Sequence, residues 1–175
     1  MTDEMQISEG EQQSTPQFYY TIAGCNILLE PGMKTEIIEK QVIFPIPHSP
    51  PWCQGMISLR GKLIPVANLH KLLNSSDQRK SNWLLVLEKD PYPQLAIRID
   101  KLPMQQLLDN EPRNAIDLAQ YPSWLQASIS VDNKVLYEAD HTILFKQLIH
   151  ENESPQSDFQ ETHSNPNQDS SGNDA

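Results

Sequence analysis

The chain has 175 residues and a formal charge of -10, long enough for one domain or for two small lobes sharing a core. The charge is confined to the ends: residues 1–15 hold four acids (Asp3, Glu4, Glu9, Glu11), residues 151–175 hold six, and neither stretch has a Lys or Arg. Residues 16–150 carry 13 acids and 13 bases; this neutral balance, with few aromatics, argues against a nucleic-acid surface, which draws its affinity from concentrated positive charge and base stacking.

Both ends are rich in Gln, Ser, Asn and Asp and almost free of large apolar residues. They cannot bury enough surface to offset the entropy of ordering, so residues 1–15 and 151–175 read as disordered acidic tails around a folded region, 16–150. No early segment joins basic residues to an apolar stretch, and the longest purely apolar run is Trp83 to Leu87. That is far too short to span a bilayer, and a cytoplasmic protein without direct membrane insertion is expected.

In chain order, Phe18–Ala23 and Ile27–Leu29 flank Gly24-Cys25-Asn26, a turn composition, and predict a first hairpin. Val42–Pro47 reads as extended through its β-branched residues and prolines. Met56–Leu59 and Lys62–Val66 surround Arg60-Gly61, where Gly supplies the positive φ of a tight turn. Pro65 removes a ladder donor, so its strand is expected to be a sheet edge or to carry a bulge. Asn68 then precedes Leu69, Leu72 and Leu73 at helical spacing and predicts a capped helical stub.

Trp83–Glu88 and Gln94–Asp100 are divided by a Pro-rich turn, and the second alternates: Leu95, Ile97 and Ile99 on one face, Ala96, Arg98 and Asp100 on the other. Ser128–Val131 and Lys134–Glu138 enclose Asp132-Asn133, a third hairpin signal. Asp140 precedes Ile143, Leu144 and Leu148 as the cap of a second short helix.

Residues 50–68 recur at 122–140 with a fixed offset of 72 and no gap. Pro50/Pro122, Trp52/Trp124, Gln54/Gln126, Ile57/Ile129, Ser58/Ser130, Lys62/Lys134 and Ala67/Ala139 are identical, seven of nineteen positions, where average residue usage gives roughly one by chance. Two copies at this spacing indicate a duplicated subdomain, not a solenoid. The pattern predicts an all-β fold with short helices, built as two small barrels. Shared residues, the tryptophans above all, are assigned to packing. Divergent ones are candidates for recognition, and Arg60-Gly61 faces Asp132-Asn133 across the copies.

Catalytic and phosphate-binding patterns such as GxSxG, the P-loop, HExxH and GxGxxG are absent. Cys25 and Cys53 lie in no CxxC pattern, and His48 with Cys53 has no second ligand pair, so no metal or cofactor is expected. Glu36 and Glu39 fall three apart, but nothing apolar isolates either to raise its pKa, and a solvated turn or strand is the simpler reading. Arg60 can offer a planar guanidinium to a carboxylate or carbonyl of a partner. Solvated decoration of the turn is the competing reading.

The segment GMISLRGKLIPVANLHKLL, residues 55–73, resembles the signature G-(V/M)-I-N-L-R-G-x-(I/L)-(I/V)-P-V-x-D-L of CheW-like coupling domains from bacterial chemosensory systems. FYYTIAGCNILL looks like that family's first hairpin, TEIIEKQVIFPIPHSP like its E-I-x-x-x-x-x-I-x-P-(L/I)-P stretch, and LAIRID like a second-lobe strand ending in Val-Asp; the likeness runs over about residues 17–149. Ser58 stands for the usual Asn, Asn68 for Asp, Gln126-Ala127 where a Gly is typical, and Lys34 where an apolar residue is common. These departures point towards the PilI type, which serves type IV pilus twitching systems.

The resemblance implies two intertwined SH3-like five-stranded β-barrels and no catalysis. It implies an adaptor between the cytoplasmic tip of a methyl-accepting chemoreceptor and the regulatory domain of a CheA-type histidine kinase, reaching an inner-membrane or polar array through those partners. Carried over by position, Glu36, Ile37, Arg60 and Gly61 would lie at or near partner surfaces. The alternative is a small barrel module that binds nucleic acid or another ligand, recognisable by salt-dependent affinity for oligonucleotides.

Overall fold

The computed structural model describes residues 15–39, 41–75 and 81–150; both acidic tails, apart from Thr15, lie outside them. Eleven strands and two helices follow one another: β1 (Thr15–Ile22), β2 (Cys25–Leu28), β3 (Lys34–Glu39), β4 (Cys53–Leu59), β5 (Lys62–Ala67), α1 (Leu69–Leu72), β6 (Trp83–Glu88), β7 (Leu95–Ile99), β8 (Lys101–Leu108), β9 (Arg113–Ala115), β10 (Leu125–Val131), β11 (Lys134–Ala139) and α2 (His141–His150). They form two sheets, β3-β6-β7-β5-β4 and β8-β1-β2-β11-β10-β9.

The first sheet, here lobe one, uses only residues 34–99. The second, lobe two, takes its first two strands from the start of the chain and the rest from beyond residue 100. The opening hairpin therefore completes the lobe built by the C-terminal half, and this exchange is what intertwines the lobes. Strand β7, the LAIRID segment expected in the second lobe, lies instead in lobe one, because it pairs antiparallel with β6 and parallel with β5.

The duplication is reproduced in register. Gly55↔Val66, Met56↔Pro65, Ile57↔Ile64, Ser58↔Leu63 and Leu59↔Lys62 in β4–β5 correspond to Ala127↔Glu138, Ser128↔Tyr137, Ile129↔Leu136, Ser130↔Val135 and Val131↔Lys134 in β10–β11. Each hairpin carries a bulge at the same place, between Cys53 and Gly55 and between Leu125 and Ala127. The backbone bonds after each hairpin also repeat: Asn68 N–H to Trp52 O at 2.7 Å, Asp140 N–H to Trp124 O at 2.8 Å. Trp52 and Trp124 are both buried, as their packing assignment requires.

Among the described residues, three apolar cores hold the two sheets together. Ile57, Ile64, Val66, Leu84, Val86 and Ala96 fill lobe one, and Tyr19, Leu28, Leu108, Ile129 and Leu136 fill lobe two. The largest lies between the lobes and includes both tryptophans, Tyr20, Ile22, Leu85, Leu87, Ile97, Leu144 and Phe145. Strand β6 thus faces apolar surroundings on both sides, Leu84 and Val86 inward and Leu85 and Leu87 towards the other lobe. This explains the unbroken apolar run Trp83–Leu87, since alternation appears only where one face meets water.

Several expectations change. Val42–Pro47 forms no strand and contributes a single bridge, Phe44↔Met56. Its place in lobe two is taken by short β9, so that sheet has six strands. Strand β5 is interior in its sheet; Pro65 is accommodated because the parallel pairing with β7 involves only Val66 and Ala67. Asp140 caps α2 through its carboxylate, Ile143 N–H to Oδ1 at 3.0 Å, whereas Asn68 makes no side-chain cap bond to the four-residue α1.

Candidate partner-binding groove

Strand β3 is an edge of lobe one, and period-two alternation sends Glu36 and Ile37 to opposite faces. At the β4–β5 tip, Arg60 and Gly61 have φ of 49° and 78°, and at the β10–β11 tip Asp132 and Asn133 have 48° and 61°. Two successive positive φ values are what a two-residue hairpin of matching twist requires, which is why Asn, Asp and Gly dominate there. Arg is the misfit, at a cost of about 1–2 kcal/mol.

The misfit is put to use within the fold. Arg60 donates two hydrogen bonds to the Glu36 carboxylate, Nη1 to Oε2 at 2.9 Å and Nη2 to Oε1 at 2.6 Å. Strand order puts β3 and β4 at opposite ends of the sheet, so this pair spans the seam where lobe one curls into a barrel. In lobe two the same turn position does likewise with other chemistry: Gln106 on edge strand β8 donates to Asp132 Oδ2 at 3.0 Å. Arg60 is therefore not simply solvated decoration, yet its side chain remains 75 % exposed against 33 % for Glu36. Gly61 borders open space.

Ile37 turns the other way and is 45 % exposed. It lines a groove of about 410 Å³ between the lobes, with Phe18 on the opposite wall and Pro16, Leu29, Pro31, Met33 and Pro103 around it. Phe18 is 52 % exposed. Two large apolar side chains left half in water, Ile37 from edge strand β3 of lobe one and Phe18 from β1 of lobe two, line one slot and make a docking geometry for an apolar partner segment. The four residues expected at partner surfaces thus divide between two places: Ile37 in the groove, and Arg60, Gly61 and Glu36 at the rim of lobe one's seam, where Glu36 shares a strand face with buried Ile38.

Beyond Leu29-Glu30-Pro31 the surface opens into a second, more polar cavity of about 600 Å³ with Lys89, Arg113, Gln126, Glu138 and Asp140 in its wall. Here Arg113 pairs with Glu138 at 2.7 Å. Glu30 accepts a bond from the His141 backbone N–H at 2.6 Å and pairs with Lys89. Burial alone would raise its carboxyl, but the bonds from Lys89 and the His141 N–H and the nearby positive charge hold it below the ordinary carboxylate range. His141 is fully buried and shares a 3.1 Å hydrogen bond with the Tyr20 hydroxyl. Its burial, only partly opposed by Glu30, pushes the imidazole pKa down. Sequence reasoning missed this network; its one visible signal was a Glu among apolar neighbours just before a Pro.

A second internal polar pair, His70 Nε2 to Asp100 Oδ1 at 2.9 Å, ties α1 to the β7–β8 connection. Among the described residues no helix is long and apolar enough to cross a membrane.

What these features define is a two-lobed barrel module with an apolar groove between the lobes. Residues 35–148 match the family model of the CheW-like domain, most of the folded region, and the chain belongs to that family. It is 45 % identical over 51 residues to the chemotaxis protein CheW of Thermotoga maritima, covering 29 % of this chain and 34 % of that protein. Against the CheW of Treponema pallidum it is 33 % identical over 78 residues, 41 % of this chain and 44 % of the other. The chain thus spans less than half the length of these curated relatives. The crystal structure of the scaffolding protein TtCheW from Thermoanaerobacter tengcongensis superposes with a TM-score of 0.63 at 18 % identity, covering 75 % of this chain and 88 % of that one; it shares the fold.

Proposed function

We propose that the chain is a non-catalytic adaptor of a chemosensory system, acting on the cytoplasmic side. It holds the cytoplasmic tip of a methyl-accepting chemoreceptor in the inter-lobe groove. At the rim of lobe one's seam, around Arg60, Gly61 and Glu36, it meets the regulatory domain of a CheA-type histidine kinase. The observation that carries the reading is the pair of half-exposed side chains, Phe18 of lobe two and Ile37 of lobe one, lining the same groove. Such a slot suits an amphipathic helix whose apolar face replaces the water on both walls.

Arg60 supports the kinase side of the reading. A guanidinium held at positive φ by a bidentate carboxylate is already oriented, and its remaining donors can serve a second carboxylate or carbonyl. The neutral balance of residues 16–150 gives the nucleic-acid alternative no support. Membership of the type IV pilus branch is part of the proposal and rests on the departures at Ser58 and Asn68.

Titrating a receptor-tip fragment against wild type and Ile37→Asp tests the groove. Placing a carboxylate where an apolar side chain should be buried is expected to weaken binding about tenfold or more. The kinase regulatory domain should bind both proteins alike. Unchanged receptor affinity would remove the groove from the account.

A further inference from the structure

We propose that Glu30 is a positioning residue: its carboxylate clamps the Leu29–Met33 crossing between the lobes and so fixes the shape of the groove. The inference rests on the receptor-tip reading for its consequence, but its basis is geometric. The chain passes between the lobes twice, after β2 and after β7, and Glu30 lies on the first passage.

The carboxylate is anchored at both ends by residues far away in sequence. Oε1 takes the backbone N–H of His141 at the start of α2, at 2.6 Å, while Oε2 takes the ammonium of Lys89, which follows β6 in lobe one. His141 is in turn fixed by Tyr20 of β1, in lobe two. One side chain therefore joins the crossing, lobe one and lobe two. Its own exposure is 24 %, low enough for the pairing with Lys89 to be only partly screened.

Glu30 and Pro31 line all three cavities of this region: the apolar groove, the polar cavity beyond it and a smaller one of about 160 Å³ beside Lys89. The crossing is the partition between them. Leu29, Pro31 and Met33, which line the apolar groove, are within three residues of the anchored carboxylate, and Met33 N–H bonds back to Glu30 O at 3.2 Å. Wherever the carboxylate is held, these apolar side chains are held with it. Releasing it leaves the barrels and their cores intact while the groove loses its fixed lining.

The test uses the full chain with Glu30→Gln, Lys89→Met and the double variant. Glutamine keeps an acceptor for the His141 N–H but removes the charge that pairs with Lys89; Lys89→Met reaches the same contact from a residue of lobe one and serves if Glu30→Gln does not fold. Each single variant is expected to bind a receptor-tip fragment about tenfold more weakly, and the double variant no more weakly than either single one, because all three break one contact. Binding of the kinase regulatory domain is expected to stay within about twofold.

Amide hydrogen exchange over residues 29–37 should quicken in each variant of the free protein, with exchange in β6 and β7 unchanged. Unchanged exchange over 29–37 overturns the proposal. So does loss of both partners together with faster exchange throughout, which marks a merely structural residue. If wild type fails to bind the receptor tip, the functional reading falls, and the exchange result alone decides the role of Glu30.

Discussion

Replacing Gly55 by Ala should be among the most damaging one-carbon changes available in this protein. Gly55 has φ of +133°, and a Cβ built on it would lie 2.2 Å from the Phe44 carbonyl oxygen, 2.8 Å from the Phe44 carbonyl carbon and 3.0 Å from Ile43 Cγ2. The nearest of these atoms are backbone, so a rotamer change cannot relieve the clash. Relief requires the 41–47 segment to move away, which breaks the two Phe44–Met56 backbone bonds of 2.8 and 2.9 Å. Two such bonds contribute about 1–3 kcal/mol together, and a side chain at this φ adds about 1–3 kcal/mol of strain. A loss of about 2–6 kcal/mol is therefore expected, read from urea unfolding midpoints at unchanged slope. In lobe two the equivalent bulge position holds Ala127, which is not at positive φ, so an Ala there carries none of this strain. A Gly55→Ala protein within about 0.5 kcal/mol of wild type would refute the reasoning, being no worse than an ordinary surface change.

Arg60→Ala should cost at most about 1 kcal/mol of stability, because the Glu36 pair it breaks is largely exposed. It should weaken kinase-domain binding by about 1.5–3 kcal/mol if the guanidinium makes a charge-assisted bond there; Asp132→Ala should leave that titration unchanged, and equal affinities for both variants would end the case for Arg60. Trp124→Ala and Trp52→Ala should each destabilise by about 3–5 kcal/mol in urea melts, with Trp124, the more completely buried, at the upper end; a loss below about 1 kcal/mol at either would contradict the shared-core assignment. Stability should fall in acid. The fold holds the His141 and Glu30 pKa values below their ordinary ones, so the unfolded chain takes up both protons first. The His141 contribution is complete above about pH 6.5 and is lost as pH falls to its folded value, and the Glu30 contribution is lost below about pH 4.5. Urea midpoints at pH 8, 6, 5 and 4 check this, and His141→Gln should abolish the first stage; a wild type that gains stability relative to His141→Gln between pH 7 and 5 would contradict it.

Local chemistry made the hairpins, the duplication and the alternation of β7 legible in the sequence. Arg60-Gly61 and Asp132-Asn133 are turn residues whatever surrounds them, and apolar residues at every second position mark a strand directly. Strand β8 was not legible, because KLPMQQLL has a Pro and little β propensity; six paired positions against β1 impose its conformation. The exchange of β1–β2 into lobe two was equally hidden, since nothing local distinguishes a hairpin that stays from one that crosses.

The site divides in the same way. Positions 36, 37, 60 and 61 could be named from the resemblance, but the Arg60–Glu36 pair joins residues 24 apart and exists only because the sheet curls. The Glu30–His141 contact joins residues 111 apart. Contacts of this kind leave no spacing in the sequence. Only closure of the barrels and docking of the lobes create them.

An adaptor of the proposed kind joins two partners at separate places. The most direct measurement is size-exclusion chromatography with light scattering of a receptor-tip fragment and a kinase regulatory domain, mixed with and without this protein. The expected result is a ternary species that forms only when the chain is present, reverts to kinase-bound chain alone with Ile37→Asp, and keeps the receptor fragment but loses kinase domain with Arg60→Ala. Two partners that displace one another, or neither binding, would contradict it.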